Sequence, residues 1–214
     1  MQNALISHAA VKKPALTALL SVFLAACVSE PQPQRQTVYG DKLSPQWQRQ
    51  LQQLNRIKQY RGNGQLGYIS PEERFSTRFD WQFANDQNYQ LHLSSSLSSS
   101  TMTFRMTPQG LVVSDNKGNV RAAEDAQVLL KEIVGMEFPI ELFSYWLKGQ
   151  PQGTQDYQIN QNNLLAELNY TLNGQRWSAK YSDYYLQLQP PLPKDILIDG
   201  ERQQLKIRVD EWKF

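Results

Sequence analysis

The sequence is short of the residues that most enzymes and metalloproteins use. Of 214 residues one is a cysteine, Cys27, and two are histidines, His8 and His92. A single thiol excludes an intrachain disulfide, and so few soft ligands leave almost nothing from which to build a zinc site. Charge of one sign is lacking as well. Lys and Arg number 22 against 20 acids, and Lys12 and Lys13 lie in a segment read below as removed, so the rest is near neutral. No basic stripe exists to hold a nucleic acid. The carboxylates are scattered, which argues against a metal cluster or a glycosidase pair, and no cofactor is implied. What is there is a chain 40% hydrophobic and rich in aromatic and Gln residues. That suits an uncharged, apolar or amphiphilic ligand, and the length suffices for one sizeable core.

The amino end reads as an address. Lys12-Lys13 precede an apolar run over 15–26 that closes in small residues before Cys27, the layout of a secretory signal. About a dozen apolar residues are too few for a permanent membrane helix. Leu24-Ala25-Ala26-Cys27 resembles a bacterial lipobox, in which the leader is cut before the cysteine and the cysteine is acylated. Residues 1–26 are therefore expected to be a signal peptide and Cys27 a lipidation site. Lipid signals of that kind give stable anchoring. The absence of Asp at Val28 and Ser29 resembles lipoproteins sent to the outer membrane. Residues 27–43, with Pro31, Pro33 and Gly40, show no period and read as a lipidated tether. At roughly 3 Å per extended residue its reach is on the order of 45 Å.

From residue 44 the chain is periodic. Ser44-Pro45 is a helix start, and Trp47, Leu51, Leu54 and Ile57 recur at three to four residues, giving a helix to about Tyr60. The period then becomes two: Phe79/Trp81/Phe83, Tyr89/Leu91/Leu93, Met102/Phe104/Met106, Trp177/Ala179/Tyr181 and Leu205/Ile207/Val209 alternate with polar residues. Asn85-Asp86, Asn173-Gly174 and Asp199-Gly200 supply turn chemistry between the runs. About eleven antiparallel strands are expected. Two helices interrupt them between 123 and 149, one ended by Gly135 and one opened by Pro139. A long sheet with one apolar face must curl and cover it. The expected fold is mainly β with helices (α+β): an unclosed antiparallel barrel over 44–214, with a helical lid above a hydrophobic cavity. Phe79, Trp81, Leu91, Phe104, Trp146 and Tyr181 are the expected lining.

Two motifs invite other chemistry and fail on context. Gly62-Asn63-Gly64-Gln65-Leu66-Gly67 matches a dinucleotide fingerprint, but a helix precedes it and no helix follows. The serine-rich 94–100 has only His92 as a base and lacks a nucleophile elbow. Leu97, flanked by three serines on each side, is the informative residue: an isolated aliphatic tip marks a partner or membrane contact.

Taken together, the lipobox, Ser44-Pro45-Gln46-Trp47, Gln59-Tyr60-Arg61-Gly62, the Leu97 loop, Asp115-Asn116-Lys117-Gly118, Gly135-Met136 with Pro139, Trp146-Leu147-Lys148-Gly149 and Asn173-Gly174 resemble the LolB family. These are outer-membrane receptors for lipoproteins in Gram-negative bacteria. The resemblance implies an unclosed barrel lidded by helices, with Leu97 on a protruding membrane-insertion loop. Ser96 and Ser98 depart from the Pro and Gly the family places around that leucine. It further implies a monomer on the periplasmic face of the outer membrane, held by its lipid anchor. There it would take acylated lipoprotein cargo from the periplasmic carrier LolA and release it into outer-membrane phospholipid. No enzymatic step is implied. The competing readings are a lipocalin-like envelope lipoprotein that binds a small amphiphile and a purely structural envelope lipoprotein.

Overall fold

A computed structural model describes residues 39–95, 99–135 and 138–214. The chain divides into two units, Met1–Gln36 and Thr37–Phe214, and every described residue belongs to the second. Its elements run α1 (Pro45–Arg56), β1 (Tyr60–Ile69), β2 (Arg74–Asn85), β3 (Asn88–Ser94), β4 (Thr101–Thr107), β5 (Gly110–Asp115) and β6 (Val120–Ala123). Then follow α2 (Ala126–Val134), α3 (Ile140–Leu147), β7 (Tyr157–Ile159), β8 (Leu165–Leu172), β9 (Gln175–Tyr185), β10 (Leu192–Gly200) and β11 (Gln203–Lys213).

All eleven strands form one antiparallel sheet in the order β6-β5-β4-β3-β2-β1-β11-β10-β9-β8-β7. Every two strands paired in the sheet are consecutive in the chain except at the centre, where β1 pairs with β11. The sheet is not closed: β6 and β7 are its edges, and the segment carrying α2 and α3 passes between them. Gly62, Gly64 and Gly67 all lie in β1, so the apparent fingerprint is strand. Gly64 faces the β-bulge that Asp210 makes in β11, and a Cβ on Gly64 would lie 2.0 Å from the Arg208 carbonyl oxygen. Only glycine admits so close a backbone approach.

The helices begin and end where local chemistry dictates. The Ser44 hydroxyl accepts from the Trp47 amide and Pro45 takes the first turn of α1, where a missing N–H costs nothing. The helix stops at Arg56, short of the expected Tyr60, because Tyr60 is drawn into β1 opposite Phe83. Asp125 caps α2, accepting from the Gln127 and Val128 amides, and Gly135 ends it at φ +69°, a left-handed conformation that favours glycine. The Asp199-Gly200 turn is displaced by one residue pair: both lie within β10, and Glu201-Arg202 make the turn.

The folded body also starts earlier than composition indicated. Tyr39 forms an antiparallel bridge with Asn160 and the Gly40 amide donates to the Ile159 carbonyl at 2.8 Å. The Tyr39 hydroxyl reaches Glu167 and that of Ser44 reaches Asn163. Residues 39–43, which their composition gave to the tether, thus lie along β7, the edge that would otherwise be bare.

Because the strands alternate in direction, their turns collect at two ends. The β1–β2, β3–β4, β5–β6, β8–β9 and β10–β11 turns lie at one end, called the mouth. The β2–β3, β4–β5, β7–β8 and β9–β10 turns lie at the other, the base. α1 crosses the base: the Gln50 side chain donates to the Pro191 carbonyl in the β9–β10 turn and the Trp47 indole to the Tyr157 hydroxyl.

Candidate functional site

α3 is apolar on nearly every side, with Ile140, Phe143, Ser144, Trp146 and Leu147 all buried. It therefore sinks into the curled sheet and fills its base half. The Trp81 indole donates to the Tyr60 hydroxyl at 3.0 Å, which in turn donates to the Ser144 carbonyl, and Phe143 stands edge-on to Trp81 with centroids 5.0 Å apart. On the other side the Tyr181 hydroxyl donates to the Trp146 carbonyl at 2.9 Å, and the Trp146 indole to the Gln152 carbonyl. Burial pushes the Tyr60, Tyr181 and Tyr184 phenols well above their ordinary pKa. Tyr60 and Tyr181 are neutral donors that tie the helix to the sheet, and Tyr184 donates to the Leu165 carbonyl of the neighbouring strand.

Lys148, just beyond α3, is 4% exposed. Its ammonium donates to the Leu54 and Ile57 carbonyls at the end of α1 and lies over the Tyr60 and Tyr145 rings. A cation there suits the negative end of the helix dipole. Burial, with some help from Lys58, brings its pKa down to about 8. These contacts lock α1, α3 and the sheet together at the base.

The mouth half is different. Where α3 does not reach, a cavity of about 1150 Å³ remains. Its walls are Leu66 and Tyr68 of β1, Phe75 and Thr77 of β2, Leu91 and Leu93 of β3, and Met102 and Phe104 of β4. Leu130 and Ile133 of α2 and Phe138, Ile140 and Phe143 form its roof. Of the polar lining residues, Ser70, Glu72, Ser95, Ser100 and Arg202 belong to the turns at the mouth and Glu132 to α2, while Thr77 and Gln203 are buried in the wall. Arg202 and Glu72 pair there at 3.2 Å between two exposed turns, and Arg121 of β6 pairs with Glu132 of α2. The volume is at or beyond the top of the range usual for drug-sized ligands. The buried lining residues carry no charge. Among the described residues no group of His, Cys, Asp and Glu is arranged to hold a metal, and no helix is long and apolar enough to cross a membrane.

The family model described as outer membrane lipoprotein LolB matches residues 58–212. The chain belongs to the LolB family. The outer-membrane lipoprotein LolB of Aggregatibacter actinomycetemcomitans is 48% identical over 204 residues, which cover 95% of this chain and 99% of that protein. That of Pasteurella multocida is 48% identical over 199 residues, covering 93% and 96%. A crystal structure of a LolA superfamily protein from Nitrosomonas europaea shares the fold at a TM-score of 0.50 and 12% identity, over 80% of this chain and 94% of that one.

Within this LolB-family body the six residues expected at the cavity separate into two groups. Leu91 and Phe104 line it. Phe79, Trp81, Trp146 and Tyr181 are 3%, 0%, 0% and 7% exposed and do not. Trp81 packs against Phe143 of α3 and Tyr181 is hydrogen-bonded to the Trp146 carbonyl, so the helix occupies the space in front of them. Reading the sequence passed over Leu66, Tyr68, Leu130, Ile133 and Phe138, which do line the cavity. A signal was present for some of them, since Leu130 and Ile133 lie on the apolar stripe of α2. Cys27 and Leu97 lie outside the described residues. His92, weighed above as a base, has its Nδ1 2.9 Å from the Thr103 hydroxyl on the next strand. It makes a cross-strand contact between two polar side chains.

Proposed function

We propose that this protein is the receptor that takes acylated lipoproteins from LolA, holds their chains in the cavity at its mouth, and releases them into outer-membrane phospholipid. Members of the family are outer-membrane lipoproteins, and the family is not one of enzymes. The observation that carries the reading is the cavity itself: large, mostly apolar in its lining, roofed by α2 and the start of α3, with its charged residues on α2 and the turns at the mouth. A trough lined by such groups accepts alkyl chains in place of water. Each methylene kept from water is worth about 0.8 kcal/mol, so an unshielded triacyl chain could not cross an aqueous compartment. Carrier, receptor and bilayer all offer the chains an apolar medium. The gross gain therefore cancels between stations, and small differences set the direction of transfer.

In this reading Cys27 carries the lipid anchor, Leu97 tips the loop that meets the bilayer, and the protein works as a monomer. Leu91 and Phe104 are the two originally expected residues that would contact acyl chains. The storage reading, a lipocalin-like module for a small amphiphile, is not favoured, given the family and the length of the open trough. Depleting the protein is expected to leave other outer-membrane lipoproteins in the periplasm bound to the carrier. Normal delivery of those lipoproteins after complete depletion would rule the receptor reading out.

A further inference from the structure

From the mouth inward, β11 buries every second residue: Gln203, Leu205, Ile207 and Val209. The last three are aliphatic. Gln203, at the start of the strand, sits where the same period would put another aliphatic side chain. It is 8% exposed and lines the cavity beside Leu205. A primary amide has two N–H donors and an oxygen that accepts, and burying them unmet is costly.

Only one end of this amide is met by protein. The buried Tyr68 hydroxyl donates to Gln203 Oε1 at 3.3 Å. The stem is held as well, because it packs over Gly200, where a Cβ would lie 3.3 Å from Gln203 Cγ. Among the described residues nothing accepts from Gln203 Nε2. Thr77, the other buried polar side chain of the wall, donates to the Arg78 carbonyl at 3.2 Å and is committed there. Bulk water at the open mouth can meet the Gln203 N–H groups until cargo enters. Cargo that offered no acceptor at this depth would leave them unpaired.

The cargo has such an acceptor. Each chain of a triacylated cysteine begins at a carbonyl, in an ester to glycerol or an amide to the cysteine nitrogen. With the alkyl chains in the apolar trough and the polypeptide outside it, those carbonyls come to lie at the mouth. Arg202, next in sequence, is paired with Glu72 at 3.2 Å, so Gln203 offers neutral donors and not a site for a phosphate or carboxylate. We propose that the Gln203 amide donates to the carbonyl oxygens at the root of the acyl chains, with Tyr68 as its positioning residue. The cavity then recognises ester- or amide-linked acyl groups and not hydrocarbon alone. The inference rests on the receptor reading above and adds to it the polar contact that sets how deep the chains sit.

The test uses the full chain carrying Cys27→Ser, which has no acyl chains of its own, and follows displacement of a fluorescent fatty acid. The probes are an N-acyl-S-(diacylglyceryl)cysteine peptide with chains short enough to stay monomeric, the same peptide with ethers in place of its glyceryl esters, and a short-chain phosphatidylethanolamine. The readout is the ratio of affinities for the ester and ether peptides, in which any general change of the apolar surface cancels. Without further substitution the ester peptide is expected to bind about five-fold tighter or more. Gln203→Leu should bring the ratio to about one, and Tyr68→Phe should lower it part of the way. Gln203→Glu, which keeps the shape and exchanges donors for acceptors, should also abolish the preference and serves if the leucine variant folds poorly. Equal binding of ester and ether peptides by the unsubstituted protein would overturn the inference, as would an undiminished preference in a folded Gln203 variant. Dependence on Gln203 confined to phosphatidylethanolamine would overturn it too, since the contact would then belong to membrane lipid and not to cargo. Those results leave the receptor reading standing. Failure to bind the fatty acid or either peptide at all would instead remove that reading, and this inference with it.

Discussion

Trp81 and Leu91 face each other across β2 and β3 and carry the same alternating signal in the sequence, yet one is core and the other is wall. The difference is where α3 lies, and no residue on either strand reports that. The two should respond oppositely to substitution. Trp81→Ala removes a fully buried ring and is expected to cost about 3–5 kcal/mol, seen as a lower urea midpoint with any surviving folded protein still taking cargo. Leu91→Glu places a carboxylate on a surface that water can reach, so stability should fall by less than ~1.5 kcal/mol while uptake from the carrier drops ten-fold or more. Equal uptake by Leu91→Glu and wild type would remove Leu91 from the acyl site. At Leu97 the expected defect comes later. Inserting one leucine is worth roughly 1.5–3 kcal/mol, too little to anchor the body but enough to bias how the mouth meets lipid. Leu97→Glu should accept cargo and deliver it slowly, and normal delivery would exclude the loop as an insertion element. Lys148 offers a pH test. Its folded pKa of about 8 lies below its unfolded value, so below pH 8 both states hold the proton and the full penalty of a buried cation is present. The penalty is relieved as pH rises from about 8 toward 10.5, with a slope of at most ~1.4 kcal/mol per pH unit. Between pH 8 and 10, the wild type should gain stability relative to Lys148→Met in matched urea titrations, and parallel curves would show that the ammonium is not held as described.

Elements were legible to the extent that their signals are local. Alternation placed the strands, the Asn85-Asp86 and Asn173-Gly174 segments mark their turns, and Ser44-Pro45, Gly135 and Pro139 mark helix boundaries. What failed was set from a distance. α1 ends early because β2 offers Tyr60 a partner, and Gly200 stays in β10 because it packs against the Trp177 ring, which leaves the turn to the next two residues. The bulge in β11 opposite Asn63 and Gly64 is likewise invisible without its partner strand. Gly64→Ala would drive a methyl group into the backbone of β11. A loss of at least ~2–3 kcal/mol is expected, against a much smaller effect for Gly67→Ala, where the nearest atom to a new Cβ is 3.8 Å away. Comparable thermal midpoints for the two variants would contradict the register of the central pair.

At the scale of the molecule, the class of fold and the single apolar trough could be read from period and composition. The division of the trough into a filled base and an empty mouth could not, because it depends on how deeply one eight-residue helix descends. Nor could the start of the folded body at the β7 edge, since a lone bridge such as Tyr39 to Asn160 has no periodic signature. One further consequence comes from the central seam. β1 and β11, the first and last strands in chain order, are partners in the middle of the sheet. Until β11 is in place, β1–β6 and β7–β10 are two separate ribbons, and the contact that joins them, from Arg61–Lys213 to Ile69–Gln204, closes almost the full length of the sheet-forming sequence. Such a contact forms late. A growing chain thus has no finished barrel to obstruct its threading through a secretion channel, and the fold becomes available only after the last strand has emerged on the far side.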